Sequence, residues 1–186
     1  MKKIVFLLIS VMISYSAPAQ TKAAGVLIPN TLSFEGEKLV LNGVGIREKY
    51  FMDMYAGALY LKVKSSNANA ITAANESMAI KLHMVSGLIT SDKMIEAINE
   101  GFENSTGGNL SSLKQDIEKF KGFFKNEIKK EDVFDIVYLP TRGTIVYKNN
   151  KELGTLKGLP FKQALFGIWL ANKPADKNLK AGMLDK

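Results

Sequence analysis

The chain has 186 residues, 46% of them hydrophobic and 23% charged, which is enough for one domain with a sizeable core and short for two. Its net charge of +7 is spread over scattered lysines, and the densest cluster (Lys125, Lys129, Lys130) is interleaved with Glu127 and Glu131, so no basic stripe of the kind that binds nucleic acid is formed. The absence of cysteine excludes disulfides and a lipid-modified cysteine, and the single histidine, His83, excludes an ordinary zinc or iron site of nitrogen and sulfur ligands.

The first residues read as a secretory signal. Lys2 and Lys3 precede an apolar run from Ile4 to Ile13, and Ala17-Pro18-Ala19 offers a small-residue cleavage site before Gln20. That run is shorter than the about 20 residues of a membrane span, and no later segment approaches that length. The expectation is a signal peptide over residues 1–19, cleavage near Ala19/Gln20, and a soluble bacterial protein in the periplasm or secreted. Gln20 to Ala24 reads as a flexible lead-in, structure is expected to start near Val26, and a single domain is placed over residues 24–186.

Val26 to Ile28 and Leu32 to Phe34 are short apolar pieces broken by Pro29-Asn30, and Glu35-Gly36-Glu37-Lys38 turns the chain into Leu39-Val40-Leu41. This meander leads to the segment Leu41 to Lys49 and then to Tyr50 through Val63. From Phe51 the side chains alternate: Phe51, Asp53, Tyr55, Gly57, Leu59 and Leu61 fall on one face, and Met52, Met54, Ala56, Ala58 and Tyr60 on the other. Both faces are largely apolar, which predicts a strand covered on two sides and lying near the middle of a sheet.

Arg47 stands out at the entrance to that strand. A guanidinium is charged at every physiological pH and needs an anion, carbonyl acceptors or water. It either closes a hairpin facing solvent, pairs with a structural carboxylate such as Asp53, or clamps a ligand carboxylate at a pocket mouth. Gly43 and Gly45 permit close backbone approach beside it.

Ser65 to Ser77 is a connection with room for a short helix, and Met78 to Val85 is a half-buried strand. Thr90 or Ser91 caps a helix carrying Met94, Ile95, Ile98 and Phe102 at helical spacing, ended at Gly107-Gly108. A second helix buries Leu110, Leu113, Ile117, Phe120 and Phe124. Three strands follow, Val133 to Leu139, Gly143 to Tyr147 and Leu153 to Leu156, as an antiparallel meander. Pro160 opens a helix with Phe161, Ala164, Leu165, Ile168 and Trp169 along one side, and Asp176 caps a last short helix through Leu179 and Met183. Strands, a helical insert, more strands and terminal helices make an α+β domain.

Few chemistries survive. No Gly-x-Ser-x-Gly elbow accompanies His83, which reads as structural, and Gly43-Val-Gly45 fails as a dinucleotide fingerprint because Glu48 occupies the third glycine position and a strand follows. Lys81 and Arg142 read as solvated surface residues. What remains is a pocket for an amphipathic acid. A guanidinium and a phenol can both donate to one carboxylate while the tail lies among apolar side chains.

The run Asn42-Gly-Val-Gly-Ile-Arg47, then Phe51-x-Asp-x-Tyr55-x-Gly57-Ala-Leu-Tyr60, and Phe161-Lys-Gln-Ala-Leu-Phe-Gly-Ile-Trp169-Leu-Ala-Asn-Lys-Pro174 near the C-terminus resemble the chalcone-isomerase-like family. The resemblance implies an open-faced β-sandwich, with a large antiparallel sheet backed by helices. In the family's fatty-acid-binding branch an arginine and a tyrosine hold the ligand carboxylate, and the matching positions are Arg47 and Tyr55. In its plant enzymes, intramolecular lyases acting on hydroxychalcones, the arginine assists cyclisation. Tyr55 stands where those enzymes have a threonine, and Gly167 where they have serine or threonine. The resemblance therefore implies a non-catalytic, extracytoplasmic binder of a fatty acid or similar lipophilic carboxylate, without cofactor or metal. The alternatives are an isomerase relying on Arg47, or a structural or partner-binding protein whose pocket is filled.

Overall fold

The computed structural model describes residues 20–186, so the proposed signal peptide lies outside the described residues. The first strands are β1 (Gln20–Ala23), β2 (Val26–Pro29), β3 (Thr31–Phe34), β4 (Glu37–Lys49) and β5 (Met52–Leu61). Helix α1 (Ala68–Ala73) and β6 (Met78–Met84) lead to the helical insert, α2 (Ser91–Thr106) and α3 (Lys114–Gly122). Strands β7 (Val133–Leu139), β8 (Gly143–Lys148) and β9 (Lys151–Leu156) precede α4 (Leu159–Leu170) and α5 (Lys177–Met183). Strands β3 to β9 form one seven-stranded antiparallel sheet in sequence order, and β1 and β2 form a separate hairpin. Among the described residues no helix is long and apolar enough to cross a membrane.

Each face of the sheet builds its own core. Tyr55, Leu59 and Leu61 of β5, with Ile80, Leu82 and Met84 of β6, pack under the helices. Ala56, Ala58 and Tyr60 face the other way, against Ile28 of β2 and Leu39 of β4. The strand with two apolar faces is thus covered on both, by helices on one side and by the N-terminal hairpin on the other. Two-layer burial of this kind lets a period-2 apolar pattern persist without exposing a row of large side chains.

Several expectations change. Gln20–Ala23 is a strand paired with β2, not a lead-in, because its backbone groups find partners from Ala23↔Val26 to Gln20↔Pro29. Phe51 does not enter the sheet. It forms a two-residue turn with Tyr50, closed by the Lys49↔Met52 pair. Met54 was expected beside Ala56 but joins the Tyr55 core. The register jumps from Arg47↔Tyr55 to Glu48↔Asp53, leaving Met54 as an extra residue in a bulge that turns two successive side chains toward the helices. Lys81 is not a solvated surface residue: it is buried and its ammonium lies 2.6 Å from Asp135, its cross-strand partner, because β6 has covered strands on both sides.

Helices α2 and α5 form where their caps and stripes say, whereas α3 keeps only Ile117 and Phe120 of its expected stripe, because Leu113 ends a preceding 3-10 turn (Ser111–Leu113) and Leu110 and Phe124 lie outside the helix. Thr90 Oγ1 accepts from Lys93 N–H at the start of α2, and Gly107 ends it in the left-handed region, where a residue without Cβ is unstrained. Asp176 caps α5 by accepting from Leu179 N–H at 2.9 Å. Helix α4 is buried on nearly every side and not along one stripe, since it lies between the sheet, α1 and α2. Its Lys162 is wholly buried, and the ammonium donates to the carbonyls of Ile71, Thr72 and Ala74 at 2.8–2.9 Å, satisfying the end of α1. Burial pushes that ammonium down to about 8.

Candidate functional site

Arg47 and Tyr55 are direct partners across the β4–β5 ladder, so the sheet itself holds the guanidinium beside the phenol. Beyond them the Met54 bulge interrupts pairing and turns the chain toward the hairpin tip. Bulges commonly re-aim side chains at functional positions. Helix α5 closes the other flank, and glycines set how near it comes: a Cβ on Gly45 would lie 2.5 Å from Leu179 O, and one on Gly43 would lie 2.2 Å from Gly182 O. The close approach those glycines allow is therefore made by a helix backbone. Asn42, the extra residue of a second bulge, locks it there by donating to Met183 O and accepting from Ser65 N–H, both at 2.8 Å.

The seating of α5 decides the partner of Arg47. Asp53 pairs across from Glu48 and is not the carboxylate concerned. Instead Asp176, the α5 cap, presents Oδ2 to Arg47 Nη1 at 3.9 Å, with the two side chains 16% and 21% exposed. That separation is too long for a hydrogen bond, and among the described residues the guanidinium donates none. Five N–H donors in a sheltered position are left for another acceptor.

Tyr55 is buried, and its hydroxyl accepts the Trp169 indole N–H at 3.1 Å. Because the indole can only donate, the hydroxyl's own proton is free to be given, and among the described residues it has no acceptor. Burial raises the phenol above its ordinary value, opposed by the Trp169 hydrogen bond and the Arg47 charge. At neutral pH it is a neutral donor, aimed by Trp169.

Arg47, Tyr55 and Trp169 form the polar end of a cavity of about 60 Å³. Leu82 and Ile136 floor it from the sheet, Met94 and Ile98 wall it from α2, and Phe120 and Phe124 close its far side. The composition is that of a ligand site, apolar walls with a few convergent polar groups. The volume is well under the roughly 300 Å³ at which such sites usually begin. A tail longer than a few carbons needs side chains to move, and Met94 is the most adaptable of them. Gly167 does not line this cavity. It faces Ser105 of α2, where a Cβ would come within 2.9 Å of the serine Cβ.

Of the residues singled out in the sequence, Arg47 and Tyr55 come together, while His83 lies apart and pairs with Glu131 at 3.0 Å. Arg142 bridges Glu35 and Glu152 at the surface. Trp169 and Asp176 are the contributors that pattern reading missed, one taken as core and the other as a helix cap. The only available signals were a lone tryptophan on an apolar stripe and a capping acid that had a second oxygen to spare.

Comparison with known proteins adds three findings. The profile of the family described as chalcone isomerase-like matches residues 20–185. No curated protein sequence matches the chain. A crystal structure of a fatty-acid binding protein from Arabidopsis thaliana superposes with a TM-score of 0.71 at 18% identity, covering 90% of this chain and 96% of that one. At that identity the likeness concerns the fold.

Proposed function

This chain belongs to the chalcone isomerase-like family, and from that premise we propose that it binds a fatty acid or similar lipophilic carboxylate without transforming it, outside the cytoplasm. One observation carries the reading: a guanidinium with no hydrogen-bonded partner and a phenol with an uncommitted proton stand side by side at the polar end of an apolar cavity. A carboxylate placed there would accept from both, and charge-assisted donors are the strong ones. The Arabidopsis protein of the same fold is described as fatty-acid binding, which supports this choice of ligand. The tail would enter between α2 and the sheet by displacing Met94.

The test is a melting series with and without a medium-chain fatty acid on wild type, Arg47→Ala and Tyr55→Phe. Arg47→Ala should lose about 1.5–3 kcal/mol of affinity, the range for a hydrogen bond to a charged group, and Tyr55→Phe less. Equal ligand stabilisation in wild type and Arg47→Ala, or none in any protein, would reject the clamp and favour a structural role. Export is tested by the mass of the protein recovered outside the cytoplasm, expected to begin at Gln20.

A further inference from the structure

Four two-residue hairpin turns have left-handed backbone at both central positions: Ala24-Gly25, Glu35-Gly36, Tyr50-Phe51 and Asn149-Asn150. Three of them place Gly or Asn second, as this geometry favours. The fourth puts two aromatic residues there, at φ +53° and +61°, where a Cβ crowds the neighbouring carbonyl. Those rings gain no core packing in return: Lys49 Nζ stands 5.4 Å from the Tyr50 ring centre, yet Tyr50 is 77% exposed and Phe51 105%. Sequence choices that break a local rule for so little local gain point to function.

The tip does not stand alone. Met52 is exposed beside it, and so is Leu88 in the loop after β6, which Val85 and Ser86 tie to Met54 by donating their N–H groups to its carbonyl. Of the six large apolar side chains exposed among the described residues, four thus gather at this end of the sheet. The same end holds the cavity's polar mouth, since Arg47↔Tyr55 lies about 10 Å along the ladder from the turn at ordinary strand rise.

We infer that the Tyr50-Phe51 tip, with Met52 and Leu88, inserts into the interface of a lipid bilayer and so places the Arg47–Tyr55 mouth at the membrane surface. The area argues for a bilayer over a protein partner. Two aromatic rings supply roughly 300–500 Å², short of the about 800 Å² that each side of a stable protein complex contributes. A protruding tip suits a soft interface, and tyrosine is at home where one end of a side chain is apolar and the other wet. The hairpin's own charges balance, Arg47 and Lys49 against Glu48 and Asp53, and the ammonium at Leu88, that of Lys93, donates to the Leu88 carbonyl at 3.1 Å, so insertion is driven by apolar burial and does not depend on anionic lipid. As a delivery route this rests on the lipophilic-acid reading, but the docking can be measured without any ligand.

The experiment is co-sedimentation of the chain from Gln20, which carries every described element of the fold, with phosphatidylcholine vesicles with and without phosphatidylglycerol. Wild type should partition onto both, and high salt should leave the partitioning in place. The double variant Tyr50→Asn/Phe51→Gly supplies the residues this turn favours, so it should melt no lower than wild type while partitioning at least about tenfold more weakly. Val63→Ser, at an exposed apolar position outside the tip, should partition as wild type. Arg47→Ala should do the same, and a loss there would assign the effect to the pocket and overturn the proposal. So would wild type staying in the supernatant, or the double variant partitioning unchanged. Concentration-dependent dimers that the double variant abolishes would assign the tip to a second copy and overturn it equally.

Discussion

Asp176 begins α5 with one carboxylate oxygen and faces Arg47 with the other, 2.9 Å from Leu179 N and 3.9 Å from the guanidinium respectively. The same side chain therefore sets the last helix and partly neutralises the cation that the proposed carboxylate binding would use. A carboxylate bound at Arg47 as proposed would meet a like charge beside it.

Asp176→Asn should tighten fatty-acid binding. Asparagine caps about as well as aspartate, so α5 keeps its start, while the repulsion disappears. A nearby charge that is mostly sheltered should be worth about 1 kcal/mol, or roughly fivefold in affinity. Isothermal titration with a medium-chain fatty acid measures it. Unchanged or weaker binding would mean that Arg47 does not hold the carboxylate.

Asn42→Ala should destabilise the protein by about 2–3 kcal/mol, because Met183 O and Ser65 N–H both lose a buried partner. Since Asn42 helps to seat α5, the variant should also lose ligand affinity. Denaturant unfolding gives the first quantity and titration the second; a stability change below about 0.5 kcal/mol would contradict the locking role.

Gly45→Ala should act on the site through the backbone. Its new Cβ meets Leu179 O at 2.5 Å, so α5 must move outward and carry Asp176 and Ala175 with it. Overpacking of this kind costs about 1–3 kcal/mol. Near-ultraviolet circular dichroism should report the change around Trp169, and a spectrum identical to wild type would show that α5 accommodates the methyl group.

Lys162 has a pH signature with a definite sign. Its folded value of about 8 lies below the ordinary lysine value of 10.5, so between them the unfolded chain holds more protons and stability rises with pH. Below about 8 the lysine is charged in both states and contributes no slope. Lys162→Met should cost roughly 2–4 kcal/mol at pH 7, by leaving carbonyls at the end of α1 without a donor. Across pH 8 to 10.5 the gap between wild type and variant should widen. Parallel stability curves would refute the depressed value.

Hydroxychalcones should not be cyclised faster than their spontaneous rate. Each tenfold of acceleration requires about 1.4 kcal/mol of transition-state stabilisation, and Arg47 and Tyr55 are the only hydrogen-bond donors besides Trp169 among the side chains lining the cavity. Absorbance of the chalcone chromophore follows the reaction. Rapid loss of that band in wild type, abolished in Arg47→Ala, would establish an isomerase.

What could be read from the sequence was whatever depends on near neighbours along the chain. Alternation by two predicted the apolar faces of β5 and β6, spacing by three and four predicted the stripe of α2 and part of that of α3, and Thr90, Gly107 and Asp176 marked helix ends by chemistry confined to one turn. The Asn42-to-Arg47 run and the Trp169 block pointed to the family, and with it to the pairing of Arg47 with Tyr55. Only the tertiary structure decided how that pair is equipped. The Trp169–Tyr55 hydrogen bond joins residues 114 apart, and Asp176 reaches Arg47 only because glycines and Asn42 let α5 lie on β4. The Met54 bulge, which moves one methionine to the other face, follows from how two strands and a loop share hydrogen bonds, and a period of two cannot announce its own interruption. Lys81 and Lys162 look like surface lysines for the same reason: their burial is conferred by elements distant in sequence, which supply the carboxylate and the carbonyls that make a buried ammonium tolerable.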